Sequence, residues 1–185
     1  MKPKHALALL FALSFSAALF GQTTFREEEK LANLKDGVTK KEISSFAIAG
    51  RQSTSGSKPQ GLKKVRFVKC GDSLLVFDNG FFSADIYVII ASTGVKANKR
   101  ISEIRFVRDT KRIYLLPESA FRDLYSPNFC TPGGKKNKTD CKVFWSKKSR
   151  QYYIYMLNGS GENRYEVTWV IQSGVYYTRV VDRVQ

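Results

Sequence analysis

The side chains that could carry chemistry in this chain are basic residues, a few acids and three cysteines. The 185 residues include 31 Lys plus Arg against 16 Asp plus Glu, which gives a formal net charge of +15. There is one histidine, His5, and it lies in a segment that we interpret below as a cleaved signal peptide. Catalysis that depends on a histidine base is therefore excluded from the mature chain.

The basic residues are densest between positions 135 and 150. A surface of this charge attracts polyanions through salt-sensitive electrostatics, and the nearby Tyr152, Tyr153 and Tyr155 could stack on bases or sugars. The alternative is that lysines keep strand edges and turns soluble and prevent edge-to-edge aggregation. Our candidate anion-binding residues are Lys135, Lys136, Lys138, Lys142, Lys147, Lys148 and Arg150. A second basic group comprises Lys96, Lys99, Arg100, Arg105, Arg108, Lys111 and Arg112.

The acids offer one route to catalysis, because two carboxylates suffice for glycoside cleavage. Each candidate also fits a helix start or the solvent-facing side of a strand, so we expect no enzyme here. The cysteines are spaced 60 and 11 residues apart without a histidine, which matches no zinc pattern, and we expect no metal or cofactor. The candidate acids are Glu103, Glu118, Asp123 and Glu166.

The cysteines predict a disulfide if the chain reaches an oxidising compartment. Cys130 and Cys141 flank a polar segment with no apolar residue to hold it in place. A disulfide between them would order that loop and contribute about 3 kcal/mol on the chain-entropy estimate. Cys70 is then left over, either as a small buried residue or as a reactive or intermolecular thiol.

The N-terminus has the pattern of a secretory signal peptide. Lys2 and Lys4 precede an uncharged, largely apolar stretch over residues 6–20, and small residues follow near the expected cleavage site. Fifteen residues span about 22 Å as a helix, which is short against a hydrocarbon core of about 30 Å. We therefore predict a signal peptide over 1–21 and an exported chain, periplasmic or extracellular, without a membrane span.

The first elements of the mature chain are the least regular. Thr24 and Glu27 fit a capping box, and Asp36 with Gly37 resembles a helix stop, which predicts a helix over 24–35. Residues 43–50 fit either a helix or a strand, and we favour the strand. The polar stretch 51–61 is predicted to be a loop.

Beyond residue 62 the chain reads as a series of short strands. The apolar run 86–90 is the best candidate for a central strand, and Pro117 starts a short helical stretch. Four strands at the end form a meander, whose last turn is Ser173-Gly174 of the primed type. The predicted strands are 63–70, 73–77, 84–91, 100–108, 111–116, 141–146, 152–157, 164–172 and 175–184.

These patterns predict one mainly β domain over 22–185. Its antiparallel meander should form a barrel or a two-layer sandwich with one or two short marginal helices, and an α+β layer fold is the alternative. We expect a non-catalytic binding protein whose partner is a protein or an anionic polymer. The alternatives are a periplasmic inhibitor or immunity-type protein and, less favoured, a carboxylate-pair hydrolase.

Overall fold

The computed structural model describes residues 24–53, 61–71, 74–78, 86–93, 99–108, 112–131 and 137–184. The predicted signal peptide, residues 1–21, lies outside this range. Within the described part of the chain, no helix is both long enough and apolar enough to cross a membrane.

In the part of the chain that the structure describes, ten strands form two antiparallel sheets of five strands each. The first sheet has the order β1-β7-β8-β9-β10, with β1 (Leu62–Lys64), β7 (Lys142–Ser146), β8 (Gln151–Asn158), β9 (Tyr165–Gln172) and β10 (Val175–Arg183). The second sheet has the order β2-β3-β4-β5-β6, with β2 (Arg66–Cys70), β3 (Leu74–Asp78), β4 (Ile86–Thr93), β5 (Arg100–Arg108) and β6 (Arg112–Leu115). The prediction of a mainly β fold is confirmed, and of the two expected architectures the described strands form the sandwich, since the sheets do not close into a barrel.

The main core lies between the two sheets. In β3 and β5, side chains at alternate positions are buried, as the period of a half-buried strand requires. Leu75, Ile104 and Phe106 of the second sheet are fully buried against Ile154 and Trp169 of the first. The predicted central strand is β4, the middle strand of the second sheet.

A second, smaller core covers the outer face of the first sheet. It is formed by α1 (Gly37–Ser44), α2 (Ile48–Ser53) and the turn between them. Phe46 stacks on Phe144 with ring centroids 4.6 Å apart and contacts Tyr153 and Tyr155. Strands β8 and β9 are therefore buried on both faces.

The N-terminal elements differ from the sequence prediction. Residues 24–35 contain two short 3₁₀ turns, Glu27–Glu29 and Leu31–Asn33, rather than one helix. Tertiary contacts account for this, because the Glu29 carboxylate binds Arg179 at 2.7 Å and the Leu31 amide donates to Asp182 at 3.1 Å. The predicted strand at 43–50 is also wrong, since these residues complete α1 and begin α2.

The residue that was expected to stop the first helix instead begins the next one. The Asp36 carboxylate accepts hydrogen bonds from the amides of Val38 at 2.9 Å and Thr39 at 3.3 Å. This is the N-cap arrangement, in which a side-chain oxygen satisfies amides of the first turn. The hydrogen bonds from these amides and from the Thr39 hydroxyl lower the pKa of Asp36, since they favour its ionised form.

Beyond residue 62, a strand is present at each predicted position, and one predicted strand is divided. The expected strand 63–70 is split at Val65, so that β1 belongs to the first sheet and β2 to the second. The four-strand meander is confirmed, and its last turn has positive φ angles at Ser173 (53°) and Gly174 (85°), as a primed turn requires. The helical stretch after Pro117 is a single 3₁₀ turn, Glu118–Ala120.

Candidate functional site

The disulfide joins Cys70 to Cys130, and the predicted pairing of Cys130 with Cys141 is wrong. Cys141 is a free, buried cysteine whose thiol donates to the Asn128 carbonyl at 3.3 Å, and burial raises its pKa to about 12. The expected role of the disulfide in closing the polar loop is taken by the backbone. Thr131 and Lys138 exchange two amide–carbonyl hydrogen bonds of 2.8 and 3.0 Å.

The candidate acids have separate structural partners. Glu166 accepts hydrogen bonds from the amides of Ile48 at 2.7 Å and Ala49 at 2.8 Å, so it caps the start of α2, and burial raises its pKa. Asp123 binds Arg179 through two contacts of 2.6 Å, and Glu103 pairs with Arg105 at 2.8 Å.

Glu118 begins a 3₁₀ turn. The four candidate acids therefore have distinct structural settings, and the contacts seen here do not bring any two of them together. Over the described ranges, no group of three or more acids, histidines or cysteines could hold a metal ion.

The candidate binding site is a cleft at one end of the sandwich, and it has a volume of about 710 Å³. It opens between the two sheets, where β5 ends and where the β7–β8 and β9–β10 turns lie. Its volume falls in the range typical of ligand-binding pockets. The lining residues are Lys63, Lys64, Val65, Phe106, Arg108, Trp145, Lys147, Arg150, Tyr152, Ser173 and Gly174.

Three aromatic rings form one wall of this cleft. Phe106 is fully buried, and its ring lies 5.0 Å from that of Tyr152. Tyr152 stacks in turn on Trp145 at 4.4 Å with an interplanar angle of 29°. Tyr152 and Trp145 are half-buried, so the row runs from the core to the opening.

The strand register places a lysine beside this row. Lys63 lies directly opposite Trp145, which lies opposite Tyr152, and residues that face each other across antiparallel strands share a side of the sheet. Lys64, one residue on, lies opposite Phe144, which packs under the helices. Lys63 is therefore better placed than Lys64 to direct its charge into the cleft.

The turn that carries two of the basic residues of the cleft, Lys147 and Arg150, is held by a helix on the other face of the sheet. The Glu42 carboxylate of α1 accepts hydrogen bonds from Ser146 at 2.6 Å, from Ser149 at 2.8 Å and from the Tyr153 hydroxyl. Ser149 also donates its amide to the Ser146 hydroxyl at 3.1 Å. These contacts fix the turn 147–150, which presents Lys147 and Arg150, before any ligand binds.

The structure divides the predicted anion-binding residues among several places. Lys147 and Arg150 line the cleft, whereas the neighbouring Lys148 is exposed outside its lining. Lys142 lies over the Tyr155 ring at 5.8 Å, and burial together with the charges of Arg51 and Lys64 lowers its pKa.

The remaining predicted residues lie outside the cleft. Lys138 is in the backbone bridge near the disulfide, whereas Lys135 and Lys136 fall outside the described residues. Of the three tyrosines, Tyr152 reaches the cleft and Tyr153 and Tyr155 are buried under the helices.

Sequence reasoning missed part of the lining. Lys63 and Lys64 were assigned to a strand without a functional role, and Trp145 was not singled out. Arg108 was placed in the second basic group, and the structure brings it to the same cleft as Lys147. The sequence signal that could have indicated this part of the lining is the pair of adjacent lysines, Lys63 and Lys64, at the start of a strand. Proximity to Trp145 follows only from the pairing of β1 with β7.

No protein-family model, curated protein or solved structure matches this chain.

Proposed function

We propose that this protein is an exported, non-catalytic binding protein that engages an anionic polymer through the cleft at the end of its sandwich. The observation that carries the proposal is the lining of that cleft. Lysine and arginine side chains converge there on an aromatic wall, and the described residues of the lining include no aspartate or glutamate.

Charge supports this assignment. Throughout the described ranges, none of Lys63, Lys147 and Arg150 has a carboxylate within ion-pair distance. The formal net charge of +15 adds a long-range attraction for polyanions. A polymer that neutralises several of these side chains would release counterions, which makes binding fall steeply with salt.

Export is supported by the signal-peptide pattern over residues 1–21 and is compatible with the Cys70–Cys130 disulfide. A non-catalytic role is supported by the acids, since Asp123 and Glu166 have structural partners. Among the residues that the structure describes, the lining of the cleft offers no carboxylate that could act as a general base.

A protein partner is the second candidate, in the manner of an inhibitor or immunity-type protein. The observation that favours it is the apolar surface of β6, where Ile113 is 58% exposed and Leu115 is 60% exposed. Both side chains lie on the outer face of the second sheet, opposite Val107 and Arg105. Exposed apolar side chains on a sheet face are a common feature of protein interfaces.

The proposal is tested by comparing two double variants that remove the same charge. Lys63→Ala/Lys147→Ala removes two exposed lysines of the cleft, and Lys138→Ala/Lys148→Ala removes two exposed lysines elsewhere. Binding of heparin and of polyphosphate is measured by titration at salt concentrations between about 50 and 300 mM, over which the Debye length falls from about 14 to about 6 Å. We expect the cleft variant to bind at least about tenfold more weakly and with a shallower salt dependence.

The control variant should change the affinity by less than about threefold, because its lysines add only diffuse charge. Equal weakening by both variants would mean that net charge, rather than the cleft, determines binding. A lack of binding to either polymer by the unmodified protein would reject the proposal and favour the protein partner.

A further inference from the structure

We infer that the polymer taken by the cleft is a single-stranded nucleic acid, with a base stacked against Trp145. This inference rests on the proposed function and narrows its ligand class. Two features of the lining carry it, namely the order of the aromatic rings and the lysine and arginine side chains beside them.

The aromatic rings form a row towards the opening, in which Phe106 is tilted against Tyr152 and Tyr152 is stacked on Trp145. Phe106 and Tyr152 have ring centroids 5.0 Å apart, and Tyr152 and Trp145 have centroids 4.4 Å apart. Tyr152 covers one face of the indole, and Trp145 is the outermost ring of the row. A base placed on Trp145 would extend this stack. Base–aromatic stacking of this kind is the main sequence-tolerant contact in proteins that bind single strands.

The charged side chains of the lining donate hydrogen bonds and accept none. Lysine and arginine are donors only, and among the described residues of the lining there is no aspartate or glutamate. Phosphate oxygens only accept, so they match these donors. The sulfate oxygens of a glycan would match them equally well, so the preference for a nucleic acid rests on the aromatic face of Trp145, on which a base can stack.

The geometry also favours a single strand over a duplex. In a duplex the bases are stacked on one another and their faces are not available to a protein ring. An unpaired strand can place its phosphates near Lys63, Lys147 and Arg150 while one base meets the indole. The fixed turn 147–150 reduces the entropy that such binding would cost.

Tryptophan fluorescence provides a direct test, because the chain has two tryptophans in different settings. Trp169 is fully buried and donates its indole N–H to the Ala120 carbonyl at 2.8 Å. Trp145 is half-buried at the cleft. We expect a 15-residue oligothymidylate to quench the emission of the protein, and expect the quenching to disappear in Trp145→Phe.

Affinity is measured in parallel with a dye-labelled copy of the same oligonucleotide. Trp145→Leu should weaken binding about tenfold or more, since stacking is typically worth about 1–3 kcal/mol per base. The matched control is Tyr177→Leu, which removes an aromatic ring that is 56% exposed and does not line the cleft. This control should bind within about twofold of the unmodified protein. Retention of the fold is checked by near-ultraviolet circular dichroism of Trp169 in every variant.

Heparin and a 15-base-pair duplex separate the outcomes. If heparin binds at least as tightly as oligothymidylate and Trp145→Leu weakens neither, the nucleic-acid inference is overturned while the polyanion proposal stands. If the duplex competes as well as the single strand, base stacking is also overturned. If none of the three probes binds, both the inference and the proposed function fail.

Discussion

The molecule contains two groups of cations in opposite settings, one buried and ion-paired and the other exposed at the cleft. Arg179, whose side chain is 4% exposed, lies between the sheets with Glu29 at 2.7 Å and Asp123 at 2.6 Å, and it also donates to the Ala120 carbonyl at 3.1 Å. Lys63 and Lys147 lie exposed at the cleft and have no carboxylate partner among the described residues. One cation is therefore neutralised by the fold, and the others are available to a ligand.

The physical reason for the difference is desolvation. A buried guanidinium without partners would cost several kcal/mol, so Arg179 can remain charged only because two carboxylates surround it. Although burial opposes the charge, the hydrogen bonds and charges of Asp123 and Glu29 raise the pKa of Arg179 further above its usual range. An exposed lysine keeps its hydration and needs no partner. The comparison predicts that stability depends on the first group and binding on the second.

The largest effect should follow from breaking the buried group. Arg179→Leu leaves Glu29 with one remaining partner, Arg26, and leaves Asp123 without its arginine. We expect a loss of about 3–5 kcal/mol in the free energy of unfolding, measured by urea denaturation, because a buried charge loses its compensation. Adding Glu29→Gln and Asp123→Asn should restore part of this loss. A loss below about 1 kcal/mol would contradict the structural role of Arg179.

The disulfide gives the next largest effect and separates stability from binding. Cys70 ends β2, whereas Val65, just before that strand, lines the cleft, so the disulfide lies at the opposite end of the strand. Cys70→Ser/Cys130→Ser should reduce stability by about 2–4 kcal/mol, since the disulfide closes a 60-residue loop in the unfolded chain.

Polyanion affinity of the same variant should change less than about threefold at a temperature where it is folded. Non-reducing peptide mapping of the unmodified protein should recover Cys70 linked to Cys130 and leave Cys141 free. Recovery of Cys130 linked to Cys141 would show that the strand arrangement around these cysteines is different.

A change of pH should have a smaller effect on the free energy of unfolding. Burial opposes ionisation of Glu29 and Asp123, but the hydrogen bonds and charge of Arg179 lower the pKa of both carboxyls below their usual values. Each carboxylate therefore adds stability above about pH 4.5 that is lost as the pH falls through its folded-state pKa. The destabilisation caused by Arg179→Leu should shrink as the pH is lowered from 7 to 3. A destabilisation that is constant over this range would mean that the carboxylates do not depend on Arg179.

The strands could be predicted from the sequence and the early helices could not. In β5 and β9 the apolar residues alternate or run continuously, which is a direct signal of a buried strand. Residues 24–35 carry acidic residues that suit a helix start, yet Glu29 forms a contact with Arg179, 150 residues away. A contact of that separation leaves no local pattern in the sequence.

Only part of the site could be predicted, because some of its residues meet through contacts that leave no local pattern in the sequence. Lys147 and Arg150 could be identified because basic residues cluster along the chain. Lys63 joins them only through the pairing of β1 with β7, and Arg108 only through the packing of one sheet on the other. The predicted disulfide is wrong because the pairing was inferred from the short polar loop between Cys130 and Cys141. In the folded chain, the Cα atom of Cys70 lies 5.8 Å from that of Cys130.

The central claim is that the polymer binds in the cleft, and lysine footprinting tests it most directly. The protein is acetylated with and without a saturating 15-residue oligothymidylate or polyphosphate, and the modification of each lysine is measured by mass spectrometry. The account predicts that the ligand protects Lys63 and Lys147 and leaves Lys138 and Lys148 as reactive as before, although Lys148 adjoins Lys147. Equal protection of Lys147 and Lys148, or protection of Lys138 alone, would contradict the cleft as the binding site.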